Sequence, residues 1–146
     1  MKSGRSERRP TAFLQEPSQE LHPQLSPDGN HIAYQSNESG TPEIYVRYFP
    51  SGRNKVKASI NGGTSPRWSP DGQVFYVNDN TLMAVAMDIV DGVREIKKPE
   101  RLFNAEEVGG RLLGEYLEPA YDVAKNGERF VVIQRRFNST ITMVEN

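Results

Sequence analysis

The sequence contains no cysteine, only two histidines and a single tryptophan among its 146 residues. Without cysteine the chain can form neither disulfides nor thiolate metal sites, and two histidines are too few for a zinc centre of the usual kind. No apolar run approaches the roughly 18–20 residues that a membrane-spanning helix requires, so no membrane span is expected in this chain. These absences exclude disulfide-stapled scaffolds and predict a protein without metal ligands.

Net charge and apolar content are also low. The formal net charge is −1, hydrophobic residues make up 36% of the chain, and mean hydropathy is −0.67. A nearly neutral chain lacks the basic excess that draws proteins onto a phosphate backbone, so no nucleic-acid partner is expected. The apolar residues fall in short, evenly spaced runs, which suit stacked β-sheets better than a helical bundle.

The motifs of common catalytic classes are missing. A protein kinase needs a Gly-rich phosphate loop, a His-Arg-Asp loop and an Asp-Phe-Gly site, and a serine hydrolase needs a Gly-x-Ser-x-Gly elbow with a partnered histidine. None of these motifs occurs in the sequence. We therefore expect no catalytic residues and no cofactor.

The sequence does contain an internal repeat. Ser-Pro-Asp-Gly occurs at residues 26–29 and returns 43 residues later at 69–72, each time after a Pro-x-apolar triplet and before a short apolar run. A degenerate third copy spans residues 121–127 and ends in Asn-Gly. Repeats of about 40–45 residues built from short strands are typical of β-propeller blades.

This repeat predicts an all-β chain that forms a partial β-propeller of about three blades. Two blades are predicted to be complete, with four antiparallel strands each, and the third to be incomplete, whereas a closed propeller needs roughly four to eight blades. The outer strand of the second blade is predicted within residues 93–103. The predicted organisation is a disordered basic leader at 1–10, blade one at 11–61, blade two at 62–104, an inter-blade insertion at 105–118 and the incomplete blade three at 119–146.

The repeated Asp-Gly pairs are predicted to be turn residues. Asp-Gly or Asn-Gly between two apolar runs is a strong hairpin signal, because glycine accepts positive φ and the Asp or Asn side chain bonds its own turn. An aspartate that recurs at the same turn of successive repeats is therefore interpreted as structural, not catalytic. The predicted structural turn residues are Asp28, Gly29, Asp71, Gly72, Asn126 and Gly127.

Two aromatic residues are candidates for a binding surface. Trp68 lies on the predicted inner strand of the second blade, where it either stacks on a ligand near the axial channel or packs in the core between neighbouring sheets. Tyr121 lies on the equivalent strand of the third copy, predicted at residues 120–124. Trp68 and Tyr121 are the two residues of the predicted binding surface.

The repeat resembles a known family. Residues 26–36, followed by 40–46, resemble the TolB-type propeller repeat. The wider order of motifs is similar to the C-terminal end of the propeller that follows the kinase domain and membrane span in some bacterial receptor-type serine/threonine kinases. That order is carried by residues 62–69, 82–85, 121–123 and 141–144, and the resemblance covers roughly residues 11–146.

The resemblance implies a non-catalytic module that binds protein or ligand within a larger sensor, and an extracytoplasmic or periplasmic location in that setting. The chain lacks the earlier blades, the kinase domain and the membrane anchor of such receptors, so it is expected to be a fragment. An alternative function stays open: the regulatory propeller of a prolyl-oligopeptidase-like peptidase, where similar repeats gate a separate catalytic domain.

An incomplete propeller is expected to need partners. Its first and last sheets should expose an apolar flank, and its last blade should have an unpaired strand edge. The expected partners are another protein, the missing propeller blades or a second copy of the chain in a homodimer. In an alternative closure, residues 11–16 supply the missing strand of the third blade.

Overall fold

The computed structural model describes residues 8–91, 93–112, 120–135 and 139–145, and it confirms the all-β class. The one helical element among these residues is a short 3₁₀ helix, Ala105–Val108. The predicted leader falls largely on residues 1–7, which lie outside the described residues, as does most of the second half of the predicted insertion. The strands are β1 Glu20–Leu25, β2 His31–Ser36, β3 Glu43–Tyr48, β4 Val56–Lys57, β5 Thr64–Trp68, β6 Val74–Asn78, β7 Thr81–Val85, β8 Met87–Val90, β9 Val93–Ile96, β10 Glu100–Asn104, β11 Gly110–Arg111, β12 Tyr121–Val123, β13 Arg129–Arg135 and β14 Ser139–Glu145.

Twelve of these strands form three antiparallel sheets in succession along the chain, and β8 and β9 form a separate two-stranded sheet. The first sheet has the order β1-β2-β3-β4 and the second β5-β6-β7-β10. In the third sheet β13 is central: β14 pairs along one of its edges, and β12 and β11 share the other. The third sheet is therefore three strands wide, where the first two are four strands wide.

The outer part of the second sheet differs from the sequence-based prediction. Residues 93–103 do not form one outer strand. Instead β8 and β9 form a separate two-stranded hairpin, and only β10 joins the sheet, next to β7. Pro99 lies between β9 and β10, and a proline cannot donate a ladder hydrogen bond, so the strand is interrupted there.

The first strands of the first two sheets share an irregularity. His22 and Ser65 both have positive φ values, +53° in each case, and each precedes a proline. The pairing of β1 with β2 and of β5 with β6 shifts register at these positions. Such a bulge bends the strand and increases its twist. The first two repeats therefore share this backbone irregularity as well as their sequence motif.

The second sheet is buried on both faces. Along β6, Val74 and Tyr76 face the first sheet, whereas Phe75 and Val77 face the third. Successive side chains of a strand point to opposite faces, so an uninterrupted apolar run suits a sheet covered on both sides. The partners in the first sheet are Ala33, Ile44 and Val46, and those in the third are Tyr121, Phe130 and Val132.

The N-terminal segment covers the outer face of the first sheet. Phe13 and Leu14 pack against the cluster of Ile32, Tyr34 and Tyr45 on that face. In the same segment the Glu16 carboxylate accepts a hydrogen bond from Arg47 at 2.5 Å. This placement corrects the alternative closure, because the contacts of the segment with described residues are to the first sheet and not to the third. It also corrects the expectation that the first sheet exposes an apolar flank.

We predict that Gly72→Ala lowers the free energy of unfolding by about 1 kcal/mol, measured by urea denaturation. Gly72 has a φ of +86°, and a Cβ there would meet no atom within 4 Å. The cost therefore comes from backbone conformation, not from a clash. The matched variant Gly72→Asn should lose less, because asparagine tolerates the left-handed region. Equal stability of all three proteins would contradict a left-handed turn at this position.

Candidate binding surfaces

The first Ser-Pro-Asp-Gly turn is closed by its serine. The backbone N–H of Gly29 donates to the Ser26 carbonyl at 2.9 Å, and the N–H of Ser26 donates to the His31 carbonyl at 2.9 Å. The buried Ser26 hydroxyl donates to the Asp28 carboxylate at 2.6 Å and accepts from the His31 N–H at 3.0 Å. One hydroxyl thus ties the turn to the following strand.

The second turn repeats this arrangement. The Gly72 N–H donates to the Ser69 carbonyl at 3.1 Å, and the Gln73 N–H donates to the Ser69 hydroxyl at 2.9 Å. The Ser69 hydroxyl in turn donates to the Asp71 carboxylate. In the third copy the N–H of Gly127 donates to the Ala124 carbonyl at 2.9 Å, so the same turn closes without the serine hydroxyl.

The serine hydroxyls lower the pKa of the turn aspartates. The hydrogen bond from Ser26, then that from the Asn30 backbone, lowers the pKa of Asp28. The hydrogen bond from Ser69, then that from the Gln73 side chain, lowers the pKa of Asp71. Both side chains are exposed. The two turns therefore present one negative charge each to solvent.

A cleft of about 340 Å³ lies between these two turns. Trp68 forms part of its wall, and its indole N–H donates to the Gln24 carbonyl of β1 at 2.8 Å. This hydrogen bond joins the second sheet to the first, while the partly exposed ring faces the cleft. The residues used below line it together: Pro27, Asp28, His31, Trp68, Asp71 and Arg94.

His31 lies at the start of β2, in the wall of the cleft. Its ring centroid is 4.9 Å from that of Tyr48 and 6.3 Å from that of Trp68, and the residue is 9% exposed. Its Nε2 atom has no hydrogen-bond partner in the part of the chain that the structure describes. Burial, and then repulsion by Arg94, lowers the pKa of His31.

Arg94 reaches the cleft from the β8–β9 hairpin. Its Nη2 donates to the Val46 carbonyl at 3.3 Å and to the Asn54 carbonyl, and its guanidinium carbon lies 4.7 Å from the centroid of the Tyr48 ring. The residue is 9% exposed, and its Nε and Nη1 have no partner among the described residues. Burial lowers the pKa of Arg94, and no described carboxylate lies within ion-pair distance of it. The sequence analysis did not single out Arg94 or His31 as a site residue, because neither belongs to a recognisable motif.

Tyr121 does not contribute to a binding surface. It is 5% exposed, lies in the core between the second and third sheets, and donates its hydroxyl to the Ser65 carbonyl at 2.6 Å. Burial raises the pKa of the Tyr121 phenol. This corrects the sequence-based assignment: Tyr121 is a core residue that ties two sheets together.

The outer face of the third sheet exposes a continuous apolar patch. Val131 and Ile133 of β13 lie directly opposite Met143 and Ile141 of β14. Ile141 is 76% exposed and Met143 is 57% exposed, and the two β13 side chains are also exposed. The other edge of β14 has no partner strand among the described residues. We name these four residues, together with that free edge, the open face.

The described residues contain no group of three or more His, Asp or Glu side chains placed to hold a metal ion. Among the same residues, no helix has the length and apolar character needed to cross a membrane.

Comparison with known proteins gives partial similarities. No family model matches the chain. A segment of 54 residues is 38% identical to the Tol-Pal system protein TolB of Pseudomonas aeruginosa, and it covers 37% of this chain and 12% of TolB. A match of this length supports a TolB-like relationship at most. The similarity to receptor-type kinases stays a prediction.

We predict that the free energy of unfolding falls as the pH drops from about 7.5 to 5, in part through His31. Because the pKa of His31 is lower in the folded state than its usual value of about 6.5, the unfolded chain binds the proton first. Urea denaturation at several pH values should show a smaller decrease for His31→Gln than for the wild type. Equal slopes in the two proteins would contradict this assignment.

Proposed function

We propose that this chain is a non-catalytic β-propeller module that binds a protein partner, as part of a larger TolB-like assembly. Three successive antiparallel sheets that follow an internal repeat support the propeller arrangement. The partial similarity to TolB supports the same class. The single observation that carries a binding role is the open face of the third sheet.

The open face has the properties of an interface. Contiguous apolar patches on a soluble protein usually mark a contact with another molecule, and each square ångström of apolar surface buried contributes roughly 25 cal/mol. β14, Ser139–Glu145, also contains no lysine or proline, two residues that commonly protect an edge strand. Both the face and the edge of this sheet therefore favour association.

The two ends of the sheet stack differ in a way that locates the partner. Phe13 and Leu14 already cover the first sheet. The second sheet is covered by its two neighbours. The third sheet has one covered face, so a further sheet would pack on its open face. That sheet comes either from the rest of a propeller or from a second copy of the chain.

The cleft contains the residue types of a serine triad, but their hydrogen bonds do not support catalysis. The Ser26 hydroxyl donates to Asp28 and accepts from the backbone N–H of His31. The one proton of this hydroxyl is used in the bond to Asp28, so it is not donated to the imidazole of His31. A nucleophilic serine needs its proton directed to a base. Ser26 directs its proton into the turn instead.

We predict that the wild-type chain self-associates with increasing concentration, and that replacing Ile141 and Met143 together by lysine abolishes this. Light scattering coupled to size exclusion measures the mass, and a circular-dichroism melt of the same fractions reports folding. Lysines on the open face oppose apolar burial but leave the buried side of the sheet unchanged. Ile60→Lys, at an exposed isoleucine outside the open face, is the control and should behave as wild type.

A discrete dimer would identify a second copy as the partner. Larger assemblies that disappear in the double variant would identify an open face that accepts further sheets. A wild-type monomer at every concentration, with a cooperative melt unchanged in the double variant, would overturn the proposed interface.

A further inference from the structure

Two side chains that line the cleft between the two Ser-Pro-Asp-Gly turns carry three buried nitrogen atoms without hydrogen-bond partners among the described residues. They are Nε and Nη1 of Arg94 and Nε2 of His31. Buried polar groups in proteins are nearly always hydrogen-bonded, and each exception calls for an explanation. Two of these nitrogens are N–H groups that can only donate. The wall of the cleft is therefore suited to a ligand that brings hydrogen-bond acceptors.

Arg94 is also a buried cation whose charge is not balanced. Its contacts are two backbone carbonyls and the face of Tyr48, and the described carboxylates do not pair with it. Burial of an unpaired charge is costly, and a planar guanidinium is matched best by a carboxylate or phosphate. An anionic group at this wall would offset that cost.

The mouth of the cleft carries the opposite charge. Asp28 and Asp71 are exposed and ionised on the two turns that form its rim. They repel a ligand that is only anionic, and they attract a positive group. A ligand that complements both regions carries a carboxylate and an ammonium group a short distance apart.

We infer that this cleft binds a small zwitterion, a free α-amino acid, with its carboxylate toward Arg94 and His31 and its ammonium group toward Asp28 and Asp71. A volume of about 340 Å³ is at the lower end of the range for small-molecule pockets. Pro27 and Trp68 supply an apolar wall for the side chain of the ligand. A longer peptide fits this pattern less well, since its terminal charges lie far apart. The inference does not depend on the open face or on the proposed protein partner.

Trp68 allows a direct test, because it is the only tryptophan in the chain and it lines the cleft. Its fluorescence is titrated with three matched probes: L-leucine, 4-methylpentanoate, which lacks the ammonium group, and 3-methylbutylamine, which lacks the carboxylate. We expect saturable binding of leucine, and binding of the two other probes that is about tenfold weaker or more, as expected for the loss of a charged hydrogen bond. These three titrations use the wild-type chain, so their outcome does not depend on the folding of a variant.

Two variants then assign the charges. Arg94→Gln should weaken leucine binding about tenfold or more, while Arg53→Gln, at an exposed arginine outside the cleft, should leave it unchanged. The double variant Asp28→Asn with Asp71→Asn should bind leucine only as weakly as the wild type binds 4-methylpentanoate. A thermal melt without ligand checks that each variant is folded.

The inference is overturned if none of the probes changes the emission of Trp68, or if the amine binds as tightly as leucine. Equal binding of leucine and 4-methylpentanoate by the wild type would also overturn it, because the rim aspartates would then have no part in recognition. The same titration on the Ile141 and Met143 double-lysine variant should give the wild-type result, which separates this site from the open face.

Discussion

The structure depends on one constraint: each sheet has an apolar face that must be covered by a neighbour. The middle sheet meets it twice, because the alternating side chains of Val74–Asn78 pack against the first sheet on one side and the third on the other. At the start of the stack the constraint is met locally, by Phe13 and Leu14. At the other end it is not met among the described residues. The proposed protein-binding role follows from that difference between the two ends.

The repeated turns both build the stack and form the cleft. In two copies a buried serine hydroxyl closes the turn and lowers the pKa of an aspartate. Because the copies lie on adjacent sheets, their prolines and aspartates face one cleft. The β8–β9 hairpin, which interrupts the second repeat, brings Arg94 to the same place. The repeated turns and the β8–β9 hairpin together therefore produce a polar site that neither contains alone.

Local patterns in the sequence were sufficient for the strands of the repeats. The short apolar run that follows the first Ser-Pro-Asp-Gly forms β2, His31–Ser36, because alternating β-branched and aromatic residues between turn signals favour strand locally. The prediction of one outer strand at residues 93–103 was wrong. β9 pairs with β8 in a hairpin, β10 pairs with β7 at the edge of the sheet, and Pro99 lies between β9 and β10. Outer strands are weakly specified, since few of their side chains are buried.

The sequence by itself determined the all-β class, the period of the repeat and the position of its turns, since these depend on residues close together in the chain. Only the tertiary structure decided which surfaces are available. Tyr121 is a core residue whose hydroxyl donates to the Ser65 carbonyl of the second sheet. Trp68 lines the cleft, and its indole N–H donates to the Gln24 carbonyl of the first sheet. His31 of the first sheet and Arg94 of the β8–β9 hairpin line one cleft, and the N-terminal segment covers the first sheet. Such pairings depend on how the sheets pack, and packing is a long-range property that local sequence patterns do not encode.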